Sequence, residues 1–180
     1  LEDRLVLSGT PTGVPVVDWV QTSLDDLSIA ASTEDKPQSK AWEHDDKWWA
    51  VLADNSGTWV YGLEGNTWQL DLQLWTNTGV RADGRAADDL AHVLLFGGRQ
   101  SEVTTIEYDA QSQSYQPWSV RAEAIDIVFS SGVESATLDV DSTGRLWVAS
   151  DANDTVEVRH ADVAGNSFSG PINVGTGITD

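Results

Sequence analysis

The chain has no cysteine and no methionine among its 180 residues. Without cysteine it can carry no disulfide framework, no thiolate metal site and no cysteine nucleophile. Positive charge is scarce: 10 Lys and Arg stand against 29 Asp and Glu, for a formal net charge of −19. Phosphate binding needs clustered Lys and Arg, so this balance argues against nucleic acid as a partner and against docking on anionic lipid. No apolar run approaches the ~18 residues of a membrane span, so no membrane insertion is expected. Helix signals are thin. Ser23 to Ala31 offers an N-cap in Ser23 and acidic residues in the first turn, Asp25 and Asp26, but it is short enough that a turn or strand is as good a reading. The chain opens on Leu1 with no basic start followed by an apolar stretch. That is the expectation for a removed leader or an excised segment of a longer chain.

What the chain has is tryptophan, nine residues of it, and short strand-like runs. Trp48 to Leu52, Thr58 to Leu63, Ala91 to Phe96, Val103 to Tyr108, Arg145 to Ala149 and Thr155 to Arg159 are rich in β-branched and aromatic residues, punctuated by Gly, Asn, Asp and Ser. Thr155 to Arg159 alternates, as a half-exposed strand does, whereas Ala91 to Phe96 is more continuously apolar, as a strand buried on both faces is. Arg85 to Ala91 reads as a loop leading into that strand.

These runs recur as a unit. Ala41, Ala82 and Ala136 mark the first strand, Trp49, His92 and Trp147 the second, and Trp68, Tyr115 and Phe168 the opening of the fourth. Four short strands every ~40–50 residues is the period of a β-propeller blade. The fold class predicted is therefore all-β: a propeller segment of about three four-stranded blades, over 37–79, 80–132 and 133–174, with 175–180 starting another. Residues 1–36 form a linker or a closing or donated strand, with Leu5 to Leu7 and Val14 to Val20 as its apolar pieces. A blade cannot bury both faces alone, so blades stack, and most of the tryptophans serve as glue between them. Closed rings have about four to eight blades. Three blades imply either further blades in a parent chain or association with a second copy.

Lys40-Ala-Trp-Glu-His-Asp-Asp-Lys-Trp-Trp-Ala-Val-Leu52, Asn66-Thr-Trp68, Val80-Arg-Ala-Asp83 and Asp139-Val-Asp-Ser-Thr-Gly-Arg-Leu-Trp-Val-Ala149 resemble repeats of large secreted bacterial proteins whose propellers have largely unassigned functions. The resemblance covers residues 37–180 and implies an extracellular or cell-surface setting. A weaker similarity, to the Asp-box turns of sialidase propellers, rests on Asp54, Gly57 and Trp59 and on Asp141, Gly144 and Trp147. Both spacings depart from that pattern and read better as β-turns, with Asp accepting backbone N–H bonds and Gly at positive φ.

The chemistry is sparse. A glycosidase needs two placed carboxylates, and only Glu134, at an inner-strand position, stands out. With its repeat equivalents Lys40 and Arg81 it would line the central channel, as a site for a polar ligand or as a mutually paired lining. Arg81, Arg121 and Arg145 have no spacing that makes them converge. Trp42, Trp75 and Trp118 lie near strand ends and are the tryptophans expected to be exposed, as platforms for a sugar ring. No cofactor is expected. A loose Ca²⁺ site on Asp139, Asp141, Asp151 and Asp154 is the one metal site the pattern admits, against the plainer reading of turn chemistry. The function expected is non-enzymatic: a surface-exposed propeller module for assembly, adhesion or glycan contact. The alternatives are a fragment of a carbohydrate-active propeller enzyme and a subunit of an extracellular filament or virion fibre.

Overall fold

A computed structural model describes residues 23–31 and 38–177. Among them there are thirteen strands and no helix. The first sheet is an antiparallel meander of β1 (Ala41–His44), β2 (Lys47–Asp54), β3 (Gly57–Glu64) and β4 (Thr67–Trp75), in that spatial order. The second runs through β5 (Arg81–Ala87), β6 (Leu90–Phe96), β7 (Gln100–Asp109) and β8 (Ser114–Pro117), with β9 (Ile125–Val128) also on β7. The third comprises β10 (Ala136–Val140), β11 (Leu146–Ala152), β12 (Thr155–His160) and β13 (Ile172–Thr176). Three consecutive meanders stacked face to face make a β-propeller segment of three blades.

The middle blade explains the stacking. In β6, Ala91, Val93 and Leu95 join one core cluster with Trp42, Trp49, Val51 and Val60 of the first blade. Leu94 and Phe96 point the other way and join a second cluster with Leu138, Leu146 and Val148 of the third. Successive side chains of a strand leave opposite faces, so a nearly continuous apolar run serves two interfaces at once. Full burial of each such side chain is worth about 1.5–3 kcal/mol before entropy. The first interface is also aromatic: Trp49 meets Tyr115 edge-on at 4.9 Å, and Tyr108 and Tyr115 are 5.4 Å apart.

Tight turns carry much of the acid. Asp54 Oδ1 accepts the Ser56 and Gly57 amides at 2.7 and 3.1 Å, and Asp141 Oδ1 accepts those of Thr143 and Arg145 at 2.8 and 3.1 Å. Gly57 sits at φ 149°, and a Cβ there would stand 2.5 Å from the Trp75 carbonyl oxygen. Both Asp–Gly–Trp patterns are thus β-turns, with the indole of Trp147 donating to Asp141 Oδ2 at 2.9 Å.

The structure departs from the sequence reading in the outer strands. Phe168 makes only an isolated bridge to Ala161, and the pairing resumes at β13 after a break. Gly175 and Thr176 are therefore part of the third blade's outer strand and do not open a fourth blade; residues 178–180 lie outside the described residues. In the second blade the outer position is shared. β8 pairs with the C-terminal half of β7, β9 with its N-terminal half, and residues 118–124 bulge out between them. Arg85 to Ala87 complete β5, and Asp88 and Asp89 turn into β6.

Ser23 to Ala31 form no helix. Their amides bond outward instead, Asp25 N to Asn66 O and Ala30 N to Ala53 O, both at 2.8 Å. Bonds to the first blade replace the i→i−4 bonds a helix would need. Leu5 to Leu7 and Val14 to Val20 lie outside the described residues.

Candidate functional site

Lys40 stands just before β1 and Arg81 opens β5, the first strands of their blades. Burial holds the Lys40 ammonium below the ordinary lysine range; the charge of Asp83 opposes this and that of Arg81 adds to it. Arg81 stacks on the Phe96 ring at 5.4 Å. Glu134 is exposed, and its amide donates to Asp151 Oδ1 at 3.0 Å. The residue that organises this region is one that sequence reasoning passed over. Asp83 is 3% exposed. Its Oδ1 accepts the Ser39 amide at 2.7 Å, and its Oδ2 accepts the Thr137 hydroxyl and the Leu138 amide at 2.6 and 2.7 Å. Gln38 reaches the same inner strand, donating from Nε2 to Ala136 O at 2.9 Å. The inner edges are therefore joined by hydrogen bonds. The signal was the Val-Arg-Ala-Asp run, in which a short acid follows two residues that enter the innermost strand.

Trp42 is not exposed. It is 8% accessible, and its indole N–H donates to the Tyr115 hydroxyl at 2.8 Å inside the first interface. Trp75 is half-buried against the same cluster. Trp118 is half-exposed and borders a cleft. The most exposed aromatic described, Trp48 at 49%, was read only as part of a strand. It follows that strand's alternation: Trp49 faces the second blade, so its neighbour Trp48 faces away.

The four aspartates considered for Ca²⁺ do not gather. Asp139 and Asp141 lie toward the start of β11 and Asp151 and Asp154 toward its end; Asp139, opposite Trp147, is four residues along the strand from Asp151, roughly 13 Å at ~3.3 Å per residue. Asp141 has both oxygens engaged by its own turn. Asp151 Oδ1 caps the amides of Glu134 and Ser135. Among the described residues no three His, Asp or Glu side chains are grouped to hold a metal.

What the blades do form is a cleft of about 280 Å³ between the second and third. His92 of β6 and Thr105 of β7 line one wall, with Trp118 and Arg121 from the bulge. The β10–β11 turn (Thr143, Gly144, Arg145) and the turn after β12 (Asp162 to Gly165) line the other. Its origin lies in the repeat. Trp49 fills the first interface completely, at 0% exposure. At the equivalent place His92 puts a smaller ring toward the third blade, and the space stays open. His92 Nδ1 and Thr105 Oγ1 share a hydrogen bond at 2.9 Å. Burial, then the charge of Arg121, hold the imidazole below its ordinary pKa, so it is neutral at pH 7. Arg121 lies over Trp118 with its guanidinium carbon 5.6 Å from the ring. The structure thus brings together Arg121 and Arg145, which no spacing suggested, and leaves Arg81 elsewhere. Blade packing, absent from any local motif, is what joins them.

No protein-family model matches the chain, and no curated protein matches it in sequence. Among solved structures it is similar to the crystal structure of xylan beta-1,4-xylosidase from Bacillus halodurans C-125, at 12% identity and a TM-score of 0.49. The match covers 80% of this chain and 32% of that one, so this chain spans about a third of that protein's length. A likeness at this level assigns neither family nor activity, and the propeller rests on the order and stacking of the sheets.

Proposed function

We propose that this chain is a non-enzymatic, surface-exposed propeller module that contacts glycans. The observation that carries the reading is the cleft between the second and third blades. It offers an indole face, two guanidinium groups, a neutral imidazole and hydroxyls in a space suited to one sugar ring. Cleavage of a glycosidic bond needs two carboxyl groups set on either side of it. Among the described residues the one carboxylate bordering the cleft, Asp162, accepts the Asn166 amide at 2.9 Å and the Ser167 hydroxyl at 2.8 Å, one on each oxygen. The extracellular setting is supported by the resemblance of the repeats to secreted propeller proteins. A glycan array run beside a reducing-sugar assay tests the reading. Retention of one glycan class with no new reducing ends is the expected result. Release of reducing sugar by the purified chain would instead make it an enzyme.

The outer faces support a second element of the proposal, association with further blades or a second copy. Trp48 and Leu70 on the first blade are 49% and 55% exposed, and β13 of the third exposes Ile172 and Val174. Light scattering after size exclusion checks this: a monomeric mass across a wide concentration range argues against self-association.

A further inference from the structure

We propose that the ligand of the interblade cleft is a carboxylate-bearing sugar, a hexuronate ring, held through its carboxylate by Arg121. The inference rests on the glycan-contact reading above and names the chemistry of its ligand. Its basis is a guanidinium with a polar atom left unmatched. Among the described residues Lys47 pairs with Glu64, Arg85 with Asp139 and Arg159 with Glu157, while Lys40, Arg81, Arg99, Arg121 and Arg145 have no carboxylate oxygen within 4 Å. Arg121 is set apart from the other four by its Nε, which is buried without a hydrogen-bond partner.

Asp162, the acid that acts on Arg121 electrostatically, stays beyond 4 Å of the guanidinium, its oxygens accepting the Asn166 amide and the Ser167 hydroxyl of its own turn. A partly buried guanidinium without a close counter-ion is open to one, and a carboxylate entering the cleft supplies it through a charge-assisted, two-pronged contact. Two further features narrow the ligand. The Trp118 ring offers an apolar face of the kind a sugar ring covers, with the Arg121 guanidinium carbon 5.6 Å from its centroid. The hydroxyls of Thr105 and Thr143, with His92, border the same space and suit sugar hydroxyls. The field of a chain at −19 repels polyanions at long range, which favours one carboxylate on one ring over a densely sulfated polymer.

The test is a titration of the whole chain at constant ionic strength, read at the indole N–H resonance of Trp118, which a Trp118→Phe variant assigns. The probes are sodium glucuronate, glucose and sodium acetate. Glucuronate should shift the resonance saturably, with glucose and acetate each at least about ten-fold weaker. Arg121→Ala should weaken glucuronate by about ten-fold or more. His92→Trp copies the first blade's own solution, so it should fill the cleft and abolish the shift while the melting temperature is kept or raised. Equal binding of glucose and glucuronate overturns the carboxylate assignment and leaves glycan contact standing. Equal binding of acetate overturns the sugar assignment. Full glucuronate binding by His92→Trp places the ligand outside the cleft and ends both.

Discussion

The carboxylate of Asp83 and the backbone amide of Leu138 meet at 2.7 Å across the join of the second and third blades. The other oxygen of the same carboxylate holds the Ser39 amide at 2.7 Å, and Ser39 O in turn accepts the Gly84 amide at 2.6 Å. One buried acid therefore ties together the inner edges of all three blades. Removing it strands inward-facing amides. Asp83→Ala should cost about 2–4 kcal/mol in urea unfolding, and Asp83→Asn less, since one amide oxygen remains to accept. A loss below about 0.5 kcal/mol for Asp83→Ala would show that the blades hold without the tie.

Leu94 and Leu70 set the scale of the core. Leu94 is fully buried between the second and third blades, whereas Leu70 is 55% exposed on the first. Leu94→Ala should cost about 2–5 kcal/mol and Leu70→Ala under about 0.5 kcal/mol. Equal effects in chemical denaturation would contradict the two-faced burial of β6.

Trp42 and Tyr115 form a polar contact inside an aromatic interface, indole N–H to hydroxyl at 2.8 Å. Trp42→Phe leaves the hydroxyl without its donor and Tyr115→Phe leaves the indole without its acceptor. Each should cost about 1–2 kcal/mol, and a double-mutant cycle should return a coupling of about 1 kcal/mol. Zero coupling would mean that the two side chains only pack.

Acid should destabilise the fold through its turns. Hydrogen bonds hold four carboxylates below the ordinary 3.8: those from Ser56 to Asp54, from Gln111 to Asp109, from Thr143 to Asp141 and from Asn166 to Asp162. For such groups the unfolded chain binds protons first. The stability they supply is complete above the ordinary carboxylate range and is lost as pH falls below about 4 toward the depressed values. Burial raises Asp71 and, with Asp126 beside it, Glu102, and these two act in the opposite direction. Calorimetric melting temperatures should drop between about pH 4 and pH 2, and Asp141→Asn should flatten that slope. An unchanged slope in the variant would remove Asp141 from the account.

Much of this fold was legible because its rules are local. A run such as Ala91 to Phe96 can only be a strand with two buried faces, and Asp–Gly pairs announce turns. The outer strands were less legible. Phe168 and Tyr115 carry the right signal, but the chain breaks after each, and no residue pattern says where pairing resumes. Ile125 to Val128 is too short to stand out from its surroundings. At the site, Trp118, read as exposed, is partly exposed at the cleft, while Trp42 is buried, because burial of an indole depends on a tyrosine 73 residues away. Arg121 and Arg145 meet only through the stacking of two blades. Asp83 looked like one acid among 29; its role follows from which strand edge it touches.

The bulge between β8 and β9 has a consequence for how such a module diversifies. Trp118 and Arg121 lie on a segment that interrupts only the outermost strand of one sheet, after which pairing with β7 resumes. Neither core cluster draws on residues 118–124, so changes in length or composition there leave the inner strands and the buried packing between blades in place and alter the wall of the cleft. The recognition surface can therefore be exchanged like a cartridge, and a loop of different chemistry spliced between Pro117 and Ile125 should redirect what the cleft selects without re-engineering the scaffold that displays it.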